Sequence, residues 1–233
     1  TVNTSETNPR SLTEMMVGSS VSLEIKREIA DKTVDPILVI KDVCKKNRDG
    51  ISVLDNLSVS LHGGEILGVA GIAGSGQKEL CEAIAGLLKV DSGSISFLGE
   101  ELMGLSPLTI KKKGVRMSFV PEDRLGMGLV AGMDITDNVI LKSYDETKGF
   151  FIDRTVGAKK ATTIVDQYDI STPSISHIVK KLSGGNIQKV LLGREIEMGP
   201  KILITAYPVR GLDIGASYTV YDMLNSQKKL GVG

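Results

Sequence analysis

Apolar positions in the first part of this chain recur with two periods, one typical of strands and one typical of helices. The β-branched runs "ILVIKDV" and "LSVSL" flank the turn sequence "NRDG" and predict two strands. The run "ILGVA", after the turn "HGGE", predicts a short buried strand. The stretch "QKELCEAIAGLL" is apolar at helical spacing, at Leu80, Ala83, Ile84 and Leu87, and predicts a helix.

The rest of the chain continues this alternation and is richer in helical patterns. We predict a turn and strand at "DSGSISFLGEEL", a short helix at "LTIKKKG" and a strand at "VRMSFVPEDR". Helices are predicted at "DITDNVILKS", "DRTVGAKKATTIVDQYDI" and "SGGNIQKVLLGREIEM", followed by a buried strand at "KILITAYP" and a helix at "DIGASYTVYDMLNSQKKLG". This order predicts an α/β fold with a mostly parallel sheet and an inserted run of helices.

Residues 1–35 lack this regular pattern. The sequence "SLTEMMVG" predicts a short helix closed by Gly18, and the charged stretch "EIKREIADKTVDP" ends at Pro36. We interpret 1–35 as an inter-domain linker. Because the chain begins with Thr1 rather than Met, we expect it to be a piece of a longer polypeptide.

Composition excludes several classes of protein. Lys plus Arg and Asp plus Glu are balanced at 28 each and Trp is absent, which argues against a nucleic-acid-binding surface. The two histidines and two cysteines stand in unrelated contexts, so we predict no metal site and a reducing, cytosolic setting. No apolar run approaches the roughly 18 residues that a membrane span requires.

The sequence "GIAGSGQKEL" at 71–80 has the glycine spacing of a phosphate-binding loop. A working loop has Lys and then Ser or Thr after its last glycine, but here Gln77 and Lys78 follow Gly76. A dinucleotide-binding loop would need glycine where Glu79 stands. A strand before the loop and a helix after it favour a phosphate cradle, with a plain tight turn as the alternative.

A second glycine-containing helix start lies at "KLSGGNIQKVLLGREI". Ser183 is typical of an N-cap, and Gly184 and Gly185 would let an anion approach the helix N-terminus closely. A plain capped helix is the alternative. The element is followed at once by a buried strand and the turn "PVRGLD".

The order of these motifs resembles the ATP-binding subunits of ABC transporters. The match runs from about Ile37 to the end, through the glycine loop, "VPEDR", "LSGGN" and "PVRGLD". More narrowly, "MVGSSV", "GEILGVAGIAGSGQ" and "LSGGNIQK" resemble the second of two tandem nucleotide-binding domains in importers of simple sugars or nucleosides. The resemblance implies a P-loop NTPase core with a small antiparallel β region. The implied domain is 36–233, with its core at 36–122 and 196–233, a helical subdomain at 123–195, and a switch histidine beyond Gly233.

The resemblance also implies three groups of site residues. The nucleotide cradle would comprise Gly71, Gly74, Ser75, Gly76, Gln77, Lys78, Glu79 and Glu122. The signature would comprise Leu182, Ser183, Gly184, Gly185, Asn186 and Gln188, and the D-loop Gly211, Leu212 and Asp213.

The departures from the family pattern fall at the catalytic positions. Gln77 replaces the phosphate-binding lysine, Lys78 the Mg²⁺-binding hydroxyl and Glu122 a glutamine that senses the γ-phosphate. Ala206 and Tyr207 replace the Walker B aspartate and the catalytic glutamate, and "KKNRDG" lacks the aromatic residue that stacks on adenine. A hydrogen bond from lysine is worth roughly 1.5–3 kcal/mol and a general base about 10²–10⁴ in rate. We therefore expect no hydrolysis at this domain's own site.

The intact signature has a different implied role. In this family two domains meet head to tail, so Ser183, Gly184 and Gly185 would serve ATP bound by the partner, and Asp213 would reach across the interface. ATP would be bound weakly or shared with the partner, and Mg²⁺ would bind only through the partner's site. The Lys78 ammonium could replace Mg²⁺ or could simply point into solvent.

The implied partners are the preceding nucleotide-binding domain of the same polypeptide, transmembrane permease subunits and, indirectly, an extracytoplasmic substrate-binding protein. The protein would lie in the cytoplasm, on the inner face of the membrane. Apolar residues of the helical insertion could contact the permease or fill the local core; they are Met127, Leu129, Val130 and Met133. The alternative function is an ABC-like interaction module that docks on a permease and binds no nucleotide. An independent kinase or GTPase is excluded by the missing lysine.

Overall fold

The structure is a computed structural model that describes residues 35–72, 74–112, 117–144 and 152–233, with a few isolated positions before residue 16. The predicted linker, with Gly18 and the "MVGSSV" sequence, falls almost entirely outside these residues.

An antiparallel sheet of four strands forms the first part of the fold. Its strands lie in the order β2-β1-β3-β4, and they are β1 (Leu38–Lys46), β2 (Ser52–Leu61), β3 (Ser92–Phe97) and β4 (Glu100–Glu101). β1 and β2 pair from Leu38 opposite Leu61 to Lys46 opposite Ser52, so the "NRDG" turn joins a hairpin as predicted. The apolar residues of β1 that face inward are buried and pack against the first helix.

The parallel part of the structure is smaller than the sequence predicts. β5 (Met117–Val120) and β6 (Ile202–Thr205) pair in parallel and are the only two parallel strands among the described residues. The expectation of a mostly parallel sheet is therefore wrong for the part of the chain that the structure describes. The difference arises because β2, which precedes the glycine loop, and β3, which follows it, both belong to the antiparallel sheet.

The predicted strand "ILGVA" at 66–70 is also wrong. The segment is not assigned to a strand, and Ile66 and Val69 are 56% and 55% exposed. Among the described residues, no backbone hydrogen bond joins 66–70 to another segment. An apolar run becomes a strand only where a neighbour satisfies its amides and carbonyls, and here the run lines a groove that residues of β6 also line.

The helices follow the predictions closely. They are α1 (Gln77–Ile84), α2 (Pro107–Lys112), α3 (Ile135–Ile140), α4 (Arg154–Gln167), α5 (Gly184–Glu197) and α6 (Ile214–Lys229). A π-helical turn (Arg124–Gly128) follows β5, and a 3-10 turn (Val179–Lys181) precedes α5. Side chains cap four of the helices at their N-termini, which explains where these helices begin: Asp134, Asp153, Ser183 and Asp213. α1 ends before Leu87, which is exposed rather than buried.

Two hydrophobic clusters fill the interior. One lies between the antiparallel sheet and α1 and includes Ile202 of β6. The other surrounds α5 and combines residues of α3 and α4 with Val120 and Val220. The predicted subdomain boundaries at 123 and 195 thus fall within the second cluster, because α5 packs against both α4 and α6. The division itself stays a prediction.

A buried carboxylate on α5 is held by a network of charged side chains. Glu195 on α5 is 1% exposed, and its carboxylate accepts hydrogen bonds from the Lys142 ammonium at 2.8 Å and the Arg194 guanidinium at 2.8 Å. Arg194 also donates to the carbonyl of Gly128, at the end of the π-helical turn, at 2.7 Å. This network ties the turn after β5 to α5.

Candidate functional site

A groove of about 1510 Å³ lies between the glycine loop and the ends of the two parallel strands. Gly71, Gln77 and Lys78 line it. Glu122, which follows β5, and the residues Ala206, Tyr207 and Arg210, which follow β6, also line it. The structure therefore brings together four of the eight predicted cradle residues, with the positions of the replaced carboxylates, around one opening, whereas Gly74, Ser75, Gly76 and Glu79 do not line it.

The glycine loop rests directly on β2. Gly76 has φ 90°, a left-handed conformation, and an added Cβ would lie 2.1 Å from the carbonyl oxygen of Val53. The Ser75 hydroxyl donates to the carbonyl of Ile72 at 2.6 Å and so stabilises the turn rather than facing a ligand. Gly76 is thus required by the close approach of the backbone to β2.

The side chain of Gln77 folds back over the loop. An added Cβ on Gly71 would lie 2.3 Å from Gln77 Nε2, so the carboxamide lies against the start of the loop. A neutral amide at this place can donate a hydrogen bond but supplies no positive charge to a phosphate.

Lys78 does not compensate for the missing lysine. Its side chain is 73% exposed, and its Nζ lies 3.8 Å from Glu82 Oε1, one turn along α1. Of the two alternatives for Lys78, this position favours the one in which the ammonium points into solvent. Glu79 lies in the first turn of α1, where its negative charge interacts favourably with the helix dipole.

The residues at the end of β6 offer no carboxylate to a Mg²⁺ ion. Ala206 contributes only a methyl group, and its amide donates to the carbonyl of Val120 at 2.9 Å. Tyr207 adopts a left-handed backbone conformation, with φ 49°. Within the described ranges, no group of three or more His, Cys, Asp or Glu side chains could hold a metal ion. Ala206 and Tyr207 thus contribute no carboxylate oxygen to a Mg²⁺ ion, which prefers such ligands.

Arg210 takes part in the site, although the sequence analysis did not select it. Its guanidinium donates to a carboxylate oxygen of Glu122 and lies 5.6 Å from the centre of the Tyr207 ring. Both partners of the ion pair are exposed, so the pair is worth less than about 1 kcal/mol. A basic residue within "AYPVRGLD", directly after a buried strand, was the available signal for this arginine.

The signature begins α5 as predicted. Ser183 is the N-cap, and its Oγ accepts hydrogen bonds from the Asn186 backbone amide at 3.4 Å and from Asn186 Nδ2 at 3.0 Å. Ser183 and Gly184 are exposed, whereas Leu182 is buried in the second cluster. The tip of α5 thus presents a hydroxyl and free amides to the surroundings.

The D-loop residues lie beside the tip of α5. An added Cβ on Gly185 would lie 2.9 Å from the Ala216 Cβ, so α5 and α6 begin in close contact. Asp213 is the N-cap of α6, and its carboxylate accepts from the Ala216 amide at 2.8 Å. Gly211 is exposed, and Leu212 packs against the second cluster. The proposed reach of Asp213 across an interface stays a prediction.

Arg124, the last residue of the motif "VPEDR", is the second site residue that the sequence pattern did not reveal. Its Nε donates to Gln188 Oε1 at 2.5 Å, and Nη2 donates to the carbonyl of Arg210. Partial burial lowers the pKa of the Arg124 guanidinium below its ordinary value. The contact partners lie 64 and 86 residues away in sequence, so local pattern could not reveal them.

The apolar residues expected in the helical insertion divide into two groups. Leu129 is buried in the second cluster, while Met127, Val130 and Met133 are exposed. No helix in the described part of the chain combines the length and the hydrophobicity of a membrane span.

A family model and curated relatives identify the same family of proteins. The model of the ABC transporter family matches residues 54–208, more than half of the chain. The guanosine import ATP-binding protein NupO of Bacillus subtilis is 37% identical over 234 residues, which cover 99% of this chain and 45% of that protein. The ribose import ATP-binding protein RbsA 1 of Rubrobacter xylanophilus is 36% identical over 224 residues, covering 95% of this chain and 43% of that protein. The chain spans less than half the length of these curated relatives.

The similarity extends to solved structures. A dimeric ATP-binding cassette, MJ0796, in a post-hydrolysis state with ADP and Pi, superposes with a TM-score of 0.73, and 84% of each chain is covered at 22% identity. This likeness confirms the predicted α/β fold, a P-loop NTPase fold that includes an antiparallel sheet. The glycine loop, the signature helix and the D-loop are all parts of this one fold. The chain belongs to the ABC transporter family.

Proposed function

We propose that this chain is the second, degenerate nucleotide-binding domain of a tandem import ATPase. It would supply its signature helix to ATP that the preceding domain of the same polypeptide binds. The observation that supports this best is the contrast between the two ends of the site. The tip of α5 is capped and exposed, while Ala206 and Tyr207 leave the end of β6 without a carboxylate, and the described residues contain no cluster of three or more His, Cys, Asp or Glu that could hold a metal ion.

The chemistry of each end agrees with this division. Ser183 and the first amides of α5 can donate to a γ-phosphate, and the partial positive charge of a helix N-terminus stabilises charge that develops there. In the groove, Gln77 is neutral, Lys78 is paired with Glu82 and Ala206 has no polar group. This domain's own site would therefore bind ATP weakly and would not hydrolyse it, and Mg²⁺ would be bound only at the partner's site.

The wider assignment rests on the relatives. NupO and RbsA 1 are named for the import of guanosine and of ribose. We therefore propose that the solute is a nucleoside or a simple sugar. The partners would be transmembrane permease subunits and, indirectly, an extracytoplasmic substrate-binding protein, and the ATPase would lie on the cytoplasmic face of the membrane.

The test of the proposal is the variant Ser183→Arg in the full-length ATPase assembled with its permease. The large cation would fill the space that the partner's γ-phosphate needs. We expect ATP hydrolysis to fall by about 10²-fold or more, as when a preorganised donor to a developing charge is removed. The measurement is steady-state phosphate release in membrane vesicles.

The matched control is Ser176→Arg, at an exposed serine in the loop that leads to α5. It introduces the same charge and volume without reaching the tip of α5, and hydrolysis should stay within twofold of the wild type, a free-energy change of under about 0.5 kcal/mol. Equal hydrolysis by the wild type and Ser183→Arg would contradict the proposal.

One observation favours a second candidate function, an interaction module that binds no nucleotide. The Gln77 carboxamide lies against Gly71, so the loop is already in contact with its own side chain. Calorimetric titration of this chain with ATP distinguishes the two functions. Weak, saturable heat supports the degenerate cassette, and no heat at millimolar ATP supports the interaction module.

A further inference from the structure

One guanidinium connects the segment after β5 with the two elements that would face the partner. Arg124 is the first residue of the π-helical turn, directly after Glu122 and Asp123. Its Nε hydrogen bond at 2.5 Å ends on Gln188 of α5, and its Nη2 hydrogen bond ends on the carbonyl of Arg210. The Nη1 atom lies 3.8 Å from the point where a Cβ on Gly184 would be. Arg124 is thus next to the signature without being part of it.

The acceptor on α5 is buried. Gln188 is 1% exposed, and buried amides in proteins are almost always hydrogen-bonded. Gln188 stands on the first turns of the helix that Ser183 caps. A fixed Gln188 therefore fixes the rotation of the tip of α5.

The acceptor on the other side leads into the D-loop. The carbonyl of Arg210 directly precedes Gly211, Leu212 and Asp213, and the side chain of the same arginine binds Glu122. The segment 122–124 thus holds Arg210 twice, through its side chain and through its carbonyl. Asp213 then begins α6, whose first turn touches Gly185.

Arginine is the side chain that can make both bonds at once. Its planar fork presents Nε and Nη2 in fixed relative directions, whereas lysine has a single nitrogen on a flexible stem. A lysine at 124 would keep the charge but could not span Gln188 and the Arg210 carbonyl in the same geometry.

We infer that Arg124 is a positioning residue that holds the signature helix and the D-loop in one fixed arrangement toward the partner's nucleotide. This inference rests on the proposed function, because it assumes that ATP lies against the tip of α5. Arg124 itself does not touch the nucleotide; it acts through Gln188 and the Arg210 backbone.

The experiment is the variant Arg124→Lys in the full-length ATPase with its permease. We expect kcat for ATP hydrolysis to fall about tenfold, because small displacements of a site can cost up to about 10²-fold in rate. The KM for ATP should change less than twofold, since the partner's own loop supplies most of the ground-state binding. A role in stability alone would lower the melting temperature and the amount of active enzyme, leaving kcat per folded molecule unchanged.

The control is Arg154→Lys, at an exposed arginine of α4 that pairs with Asp134 and Asp137. It makes the same chemical change in the same part of the fold. Its kcat should equal that of the wild type.

A second variant tests whether Arg124 acts through its hydrogen bond to Gln188. Gln188→Met keeps the volume and removes the acceptor. If the two residues act as a unit, the double variant Arg124→Lys/Gln188→Met should lose no more activity than the more affected single variant. Losses that multiply would overturn the inference, and so would a wild-type kcat in Arg124→Lys.

Failure of the inference can be told apart from failure of the proposed function. Loss of hydrolysis in Ser183→Arg with a wild-type kcat in Arg124→Lys overturns only the positioning role. Full hydrolysis in Ser183→Arg overturns the proposed function and this inference with it.

Discussion

At the scale of single residues, the two left-handed glycines of the loop are under different constraints. Gly74 has φ 85° and nothing within 4 Å of an added Cβ, whereas the Cβ of an alanine at 76 would meet the Val53 carbonyl. Both would suffer backbone strain as alanine, but only Gly76 is also sterically blocked.

We therefore expect Gly74→Ala to lower the free energy of unfolding by about 1–2 kcal/mol. Gly76→Ala should cost a further ~1–3 kcal/mol, because the backbone of β2 must move. Urea unfolding followed by circular dichroism measures both. Equal losses in the two variants would show that β2 does not restrain the loop.

The sequence predicts well that these glycines form a tight loop before a helix, because a phosphate-loop spacing is a local pattern. It does not predict where the long side chains of the site point. Gln77 folds toward Gly71 and Lys78 pairs with Glu82, both within the same loop and helix, whereas Arg210 binds Glu122, 88 residues away in sequence. The orientation of Arg210 therefore depends on a neighbour that only the tertiary structure supplies.

At the scale of elements, the capping residues explain why the helices begin where they were predicted. Ser183 and Asp213 each accept a backbone hydrogen bond from the residue three positions on. Asp213 has a second proposed role, in the contact with the partner, and the two roles can be separated.

Asn is as good an N-cap as Asp, whereas Ala is not. We expect Asp213→Ala to lower the free energy of unfolding by about 1 kcal/mol and Asp213→Asn by only a few tenths. Thermal unfolding of the two variants is the measurement. If both destabilise equally, the charge of Asp213 contributes to the stability of the monomer beyond its hydrogen bond.

Strands are harder to predict than helices, because a strand needs a partner that is distant in sequence. "ILVIKDV" and "LSVSL" were assigned correctly since a short turn makes them neighbours. "ILGVA" has an equally apolar pattern, but no other described segment bonds to its backbone. Local pattern identifies the apolar run and cannot identify the missing neighbour.

At the scale of the whole molecule, the position of the signature depends on how α5 packs against α4 and α6. Its Leu191 and Leu192 are buried in the second cluster, and Glu195 binds Lys142 and Arg194 in the same interior. The sequence predicts α5 and its cap, but not the contact of the buried Glu195 with Lys142, which lies 53 residues away in sequence.

Glu195→Gln would leave two cations without their counter-charge, one of them the buried Arg194. We expect a loss of about 3–5 kcal/mol in the free energy of unfolding, as for other buried pairs from which one partner is removed. All five tyrosines lie at or after position 144 and Trp is absent, so tyrosine fluorescence follows this part of the fold selectively.

The control is Glu197→Gln, on the same helix and only partly buried. It should change the tyrosine unfolding transition by less than about 0.5 kcal/mol. An equally small effect of Glu195→Gln would contradict a structural role for the buried pair.

The unpaired segment 66–70 has a practical consequence for anyone who purifies this polypeptide. Ile66, Leu67 and Val69 are exposed, and no backbone hydrogen bond joins this segment to another part of the chain that the structure describes; apolar segments of this kind favour self-association. Preparations should therefore form soluble clusters as concentration rises. Light scattering should grow more slowly when Val69 is replaced by lysine, because a charge on an open edge discourages pairing between molecules.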